Sequence, residues 1–112
     1  MQVVDLQESD KFLALGAELL SVAPDSPEDW LGAGREYGVR DFDTVLSDEE
    51  NTVATSYDVM EWQAATGEPG HTFVLVDEAG KIAWVKDYGA PEHGGIMWVD
   101  PRELVPELEP RL

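Results

Sequence analysis

His71-Thr72-Phe73-Val74-Leu75-Val76-Asp77, followed by Glu78-Ala79-Gly80 and then Lys81-Ile82-Ala83-Trp84-Val85-Lys86-Asp87, is the stretch that decides the fold. Phe73-Val74-Leu75-Val76 is apolar at every position, as a strand covered on both faces requires. Ile82-Ala83-Trp84-Val85 is a second strand of the same kind. The three residues between them end in Gly80, which can take the positive φ of a bulged hairpin turn. The stretch predicts an antiparallel hairpin over His71–Asp77 and Lys81–Asp87.

Upstream of the hairpin the punctuation is clear. Gln2 to Leu15 reads as a helix with Val3, Leu6 and Leu13 near one stripe, stopped by Gly16. Ala17 to Ala23 has the length and apolarity of a strand and ends before Pro24. In Ser26-Pro27-Glu28-Asp29, Ser26 can cap a free N–H and Pro27 suits the first helical position. Glu28 and Asp29 suit the positive end of the helix dipole. This helix carries Trp30, Ala33 and Tyr37 and ends at Gly38. Phe42 to Leu46 reads as a short strand. Ser47-Asp48-Glu49-Glu50 has capping-box spacing before a short helix through Val53, Ala54 and Tyr57. Residues 60–70 read as loop.

Downstream, Tyr88 to Gly95 is a Gly-rich loop and Ile96 to Val99 a short strand. Asp100-Pro101 opens a last helix with Leu104, Val105 and Leu108, which Pro106 should kink or shorten. Alternation of helices and strands around a hairpin predicts a single α/β domain over residues 1–112, with a mixed sheet and flanking helices.

Composition limits the function. The chain has 112 residues, 24 Asp+Glu against 7 Lys+Arg, a formal net charge of −17 and no cysteine. Nucleic acid and anionic membrane both need a basic footprint, so neither is an expected partner. No apolar run approaches the roughly 20 residues of a membrane span, and no signal-peptide pattern opens the sequence, so a cytoplasmic location is expected. The acidity fits an ordinary solvated surface. It also fits a high-salt cytoplasm, with which the presence of only Lys11, Lys81 and Lys86 agrees. The zero cysteine count removes disulfides, thiolate metal sites and thiol chemistry from this chain.

Three segments, in order, resemble the peroxiredoxin-like alkyl hydroperoxide reductase/thiol-specific antioxidant family. They are Leu15-Gly16-Ala17-Glu18-Leu19-Leu20-Ser21-Val22 with Pro24-Asp25-Ser26-Pro27-Glu28, then Val45-Leu46-Ser47-Asp48 with Tyr57-Asp58-Val59, and then His71 to Asp77 with Gly80-Lys81-Ile82. Together they span roughly Leu15 to Val85. The resemblance implies a thioredoxin-like fold of the redoxin type and a thiol-dependent oxidoreductase acting on peroxides or disulfides. It also implies that the match begins mid-domain. In that family a strand precedes the first helix, and the reactive cysteine lies at their junction. That position falls before Met1, so the chain is expected to be an N-terminally truncated domain, inactive alone, with no catalytic residue of its own.

By the same resemblance, the missing strand would lie between the Ala17–Ala23 strand and the His71–Asp77 strand. Leaving it out strips ladder partners from both, at about 1–3 kcal/mol for each buried group left unpaired. The gap is therefore expected to close by direct pairing, strand exchange or dimerisation. The alternative function is a complete thioredoxin-like interaction module. Expected partners are a second copy of the chain and, for a longer form, a thiol reductant protein.

The resemblance also marks a rim to the redox face, formed by Trp62, Glu68, Pro69, Gly70 and His71. A cis-proline or an arginine stands three residues before the hairpin phenylalanine in the family, and here that position is Gly70. The side chain that would stabilise a thiolate and polarise a peroxide is absent there. His71 and His93 have no metal-ligand spacing, so neither a metal nor another cofactor is expected. Trp30 and Trp84 read as core residues. The Gly89–Gly95 loop lacks the Lys and Ser/Thr of a phosphate loop.

Overall fold

The computed structural model describes residues 1–63, 67 and 69–112. In order, the elements are helices α1 (Gln2–Gln7) and α2 (Asp10–Leu13), strand β1 (Ser21–Ala23) and helix α3 (Pro27–Tyr37). Strand β2 (Val45–Ser47), helix α4 (Thr52–Ser56), strands β3 (Thr72–Val76) and β4 (Ile82–Asp87), and helix α5 (Pro101–Leu108) follow. Short 3₁₀ turns cover Phe42–Thr44, Pro91–His93 and Glu109–Arg111.

The hairpin forms where its sequence places it. β3 and β4 pair antiparallel from Thr72 opposite Asp87 to Val76 opposite Ile82, with a bulge between Leu75 and Val76. Gly80 takes φ +77°. Asp77 Oδ1 closes the turn by accepting the Ala79 and Lys81 N–H groups, both at 2.9 Å. Only one face of the hairpin is covered, however. Phe73, Leu75 and Trp84 pack inward, whereas Val76, Ile82 and Val85 are exposed.

β1 and β2 form a parallel pair, with Ser21, Val22 and Ala23 opposite Val45, Leu46 and Ser47. α3 connects them. Its capping box is complete: Ser26 Oγ accepts the Asp29 N–H, and the Asp29 carboxylate accepts the Ser26 N–H. Gly38 closes α3 with φ +85°, a left-handed cap that a residue with a Cβ rarely adopts.

Several local expectations need correction. The first helix breaks at Ser9, whose hydroxyl accepts the Phe12 N–H and caps α2. The break rotates the buried stripe to Val4, Leu6 and Phe12, and leaves Leu13 exposed. Strand character begins only at Ser21 in the first parallel strand and only at Val45 in the second. Ser47 does not cap α4. Asp48 does so instead: its carboxylate accepts the N–H groups of Val53 and Ala54 at 3.1 and 2.9 Å. These donors hold the Asp48 carboxyl below the ordinary aspartate range, the Ala54 N–H most strongly, although desolvation opposes them. Ile96–Val99 is not a strand. Gly94 and Gly95 both take positive φ before it, and its first residue makes a single bond, Ile96 N–H to Tyr88 O at 2.7 Å. α5 runs two residues past Pro106 and passes into the terminal 3₁₀ turn.

Side chains gather in two cores. The larger holds Leu6, Phe12, Tyr88, Val99, Leu104, Val105 and Leu108 beneath the hairpin. The smaller holds Val4, Trp30, Val39 and Val45 beside the parallel pair. α1 contributes to both, and a glutamine staples each of its ends. Gln2 Nε2 donates to Val99 O at 2.9 Å while Gln2 Oε1 accepts the Val99 N–H at 2.7 Å. Gln7 does the same with Arg40, at 2.6 and 2.9 Å. The fold is thus mixed α/β, with one parallel and one antiparallel pair. Among the described residues no ladder joins the two pairs, and β1 and β3 each keep an unpaired edge. Direct pairing does not close the expected gap.

Candidate functional site

Strand β3 and the residues just before it position the candidate rim. Gly70 is buried, and its N–H donates to Val59 O at 3.3 Å. A Cβ at Gly70 would lie 2.8 and 2.9 Å from the two carboxylate oxygens of Asp87, at the end of β4. Any side chain at this position, an arginine included, would need the Asp87 carboxylate to move. Gly89 completes the arrangement, donating its N–H to Asp87 Oδ1 at 2.9 Å. A Cβ at Gly89 would come within 3.1 Å of the His71 nitrogen.

His71 reaches away from this cluster, toward α1. Its Nε2 lies 2.9 Å from Gln2 Oε1, joining residues 69 positions apart. Its ring meets Phe73 edge-on at 5.5 Å, and Phe73 meets Tyr88 in the same way at 5.7 Å. Burial lowers the His71 pKa below the ordinary histidine value, and the Asp87 carboxylate partly opposes it.

Trp62 is exposed and lines a groove of about 220 Å³ with Asp58, Glu61, Asp87, Glu92 and His93. Lys86 also borders this groove. However, its ammonium is engaged elsewhere, 3.8 Å from Glu107 and 4.7 Å from the Tyr88 ring centre. The groove is therefore acidic. A thiolate brought near these carboxylates would be disfavoured, the reverse of the electropositive setting that activates a cysteine. Among the described residues no group of three His, Cys, Asp or Glu is placed to hold a metal ion.

A model of the AhpC/TSA family matches residues 1–85. The chain belongs to the AhpC/TSA family. The matched residues run from α1 through β3 and into β4, beyond the Leu15–Val85 span over which the resemblance was legible. The parallel pair, the hairpin and the flanking helices are compatible with the thioredoxin-like fold of a redoxin, and the family makes this a redoxin-type thiol oxidoreductase domain. No curated protein and no solved structure matches the chain. Among the described residues no helix is long and apolar enough to cross a membrane.

Gly70 and Gly89 pack against one side chain, Asp87, which reading the sequence did not single out; Trp62 lines the same groove as Asp87, and the His71 ring turns toward α1. Glu68 lies outside the described residues, and Pro69 is half-buried beside Gly70. Gln2, Val99 and Gly89 were also missed. The one local signal was Asp87-Tyr88-Gly89, an aspartate two residues before a glycine, which is the spacing of an Asx turn.

Proposed function

We propose that the chain is the C-terminal portion of a redoxin-type thiol oxidoreductase and is catalytically silent as these 112 residues. The thiol would be supplied by a strand that pairs with the free edges of β1 and β3. The observation that carries this reading is the pair of unpaired edges in a family member without cysteine. A strand end left open in this way is a template for another strand. The chemistry would be reduction of a peroxide or a disulfide, with a thiol reductant protein as partner. The acidic groove and the side-chain-free Gly70 favour the disulfide. A cytoplasmic setting belongs to the same proposal, because a reducing compartment keeps the thiol available.

The test is turnover of hydrogen peroxide and of a model disulfide in the presence of a thiol donor. The 112-residue chain should show neither. The product of the coding sequence extended upstream in frame should show at least one. Turnover by the 112-residue chain would overturn the reading, as would a stop codon immediately upstream.

A second reading is an interaction module that pairs with its own copy. The exposed Leu20, Val22 and Leu46 in and beside the parallel pair favour it. Sedimentation decides: a stable dimer with no functional extension supports this reading against the first.

A further inference from the structure

Successive side chains of a strand point to opposite faces, so the hairpin register sorts its residues into two rows. Phe73 opposite Lys86 and Leu75 opposite Trp84 form the inner row, over the core that α2 and α5 share. Thr72 opposite Asp87, Val74 opposite Val85 and Val76 opposite Ile82 form the outer row. Its two rungs nearer the turn are wholly aliphatic. Val76, Ile82 and Val85 are 44, 54 and 49 % exposed. A sheet face this aliphatic is normally covered by a helix.

The charges around the strip say what kind of helix fits. The groove lined by Trp62 opens on this same face, because Thr72, Val85 and Asp87 of the outer row form part of its wall. Asp58, Glu61 and Glu92 bring further carboxylates to that end of the strip, with Trp62 exposed among them. Lys86 is the one lysine or arginine lining the groove among the described residues, and its ammonium is held on the inner side by Glu107. At the other end, the turn carries Asp77 and Glu78 against Lys81. We propose that the outer face of the hairpin docks a basic amphipathic helix of a partner protein. The aliphatic side of that helix would cover Val74, Val76, Ile82 and Val85. Its Lys or Arg side chains would meet the groove carboxylates and the face of Trp62.

Charge complementarity selects this occupant over the others. A second copy of the chain, at net charge −17, would set acid against acid at both ends of the strip. An anionic membrane surface would be repelled in the same way. A neutral apolar helix would leave the carboxylates without partners, whereas a basic one pairs them and buries the aliphatic rungs together. The size agrees as well. β3 has five residues, about 16 Å of strand, which about 11 residues of helix would span. The face lies opposite the one that packs on α2 and α5, so docking there is independent of any thiol.

The test is a titration of the ¹⁵N-labelled 112-residue chain with a synthetic Leu/Lys amphipathic helix of about 14 residues, and with a Leu/Glu helix of the same pattern. The Leu/Lys probe should shift the amides of β3 and β4 together with the Trp62 indole N–H, and should bind less tightly as salt is raised. The Leu/Glu probe should not bind. Ile82→Thr/Val85→Thr keeps β-branched residues in the strand and should weaken the Leu/Lys probe about tenfold or more. Asp58→Asn/Glu61→Gln should weaken it about threefold and flatten the salt dependence. Leu31→Ser, at an equally exposed apolar position on α3, should leave binding unchanged, which separates a site from general attraction to an acidic protein. Shifts scattered over the whole surface, equal binding of the two probes, or full affinity in the threonine pair would each overturn the proposal. So would shifts of the same amides with protein concentration alone, which would give the face to a second copy. If the threonine pair disturbs the hairpin, the location of the shifts in wild type and the Asp58/Glu61 variant still decide. No thiol enters these measurements, so the proposal can fail while the redox reading holds, or the reverse.

Discussion

The hairpin half and the parallel half of this molecule hold together differently. β3 and β4 pair over five positions and are closed by a turn with its own hydrogen bonds, above a core of seven buried side chains. β1 and β2 pair over three positions, above a core of four. The difference follows from connectivity. An antiparallel hairpin is closed by a short local turn, whereas a parallel pair depends on a long crossover and normally on neighbours at both edges. Loss of a neighbour therefore weighs more on the parallel half. α1, stapled by Gln2 on one side and Gln7 on the other, is the crosspiece that holds the weaker half to the stronger.

The comparison can be broken most forcefully at the larger core. Leu104 is fully buried, and Leu104→Ala should cost about 2–5 kcal/mol in denaturant unfolding. Because the hairpin core anchors α1, protection should fall in both halves together. A loss confined to α5 would contradict this hierarchy. Gly70→Ala is next, at about 1–3 kcal/mol, since the new methyl meets the Asp87 carboxylate. Asp87→Ala should relieve most of that cost in the double variant, which a thermodynamic cycle measures. Ser26→Ala should cost about 1 kcal/mol by removing one arm of the α3 capping box. Its effect on exchange should concentrate in α3, β1 and β2 and leave β3 and β4 nearly unchanged. Equal loss in all four strands would mean that the halves are one cooperative unit.

The smallest effect is a pH dependence. The Asp48 carboxyl lies below its ordinary value in the folded chain, so its contribution is fully present above the ordinary aspartate value of about 3.9. That contribution is lost as pH falls through the lower folded value. Asp48→Asn keeps one acceptor oxygen and does not titrate. The acid limb of its unfolding profile should therefore be shallower than that of wild type, by one carboxyl's share of the protons taken up.

What could be read from sequence tracks how local the causal interaction is. The hairpin and the start of α3 were legible because their turn and cap residues act within three or four positions: Asp77 on Lys81, Ser26 on Asp29. The α4 cap was misread because Asp48 reaches five and six residues on, outside the capping-box spacing that made Ser47 attractive. The Ser9 break was missed because the apolar stripe read through Val3, Leu6 and Leu13 runs across it. The rim was named only through family resemblance, and its organising group, Asp87, was not named at all. Asp87 meets Gly70 across the hairpin mouth, and Gln2 meets Val99 from 97 positions away. No periodicity encodes such meetings. They exist only once the two cores have formed.

The central claim is that β1 and β3 each keep an open edge, to which the proposed strand would pair. Residue-resolved amide exchange of the 112-residue chain tests it most directly. The account predicts strong protection for the amides paired between β3 and β4, weaker protection between β1 and β2, and nearly none for the amides on the free edges of β1 and β3. Strong protection along both free edges would show the two strands hydrogen-bonded to a partner, and the account of an open redoxin scaffold would be contradicted.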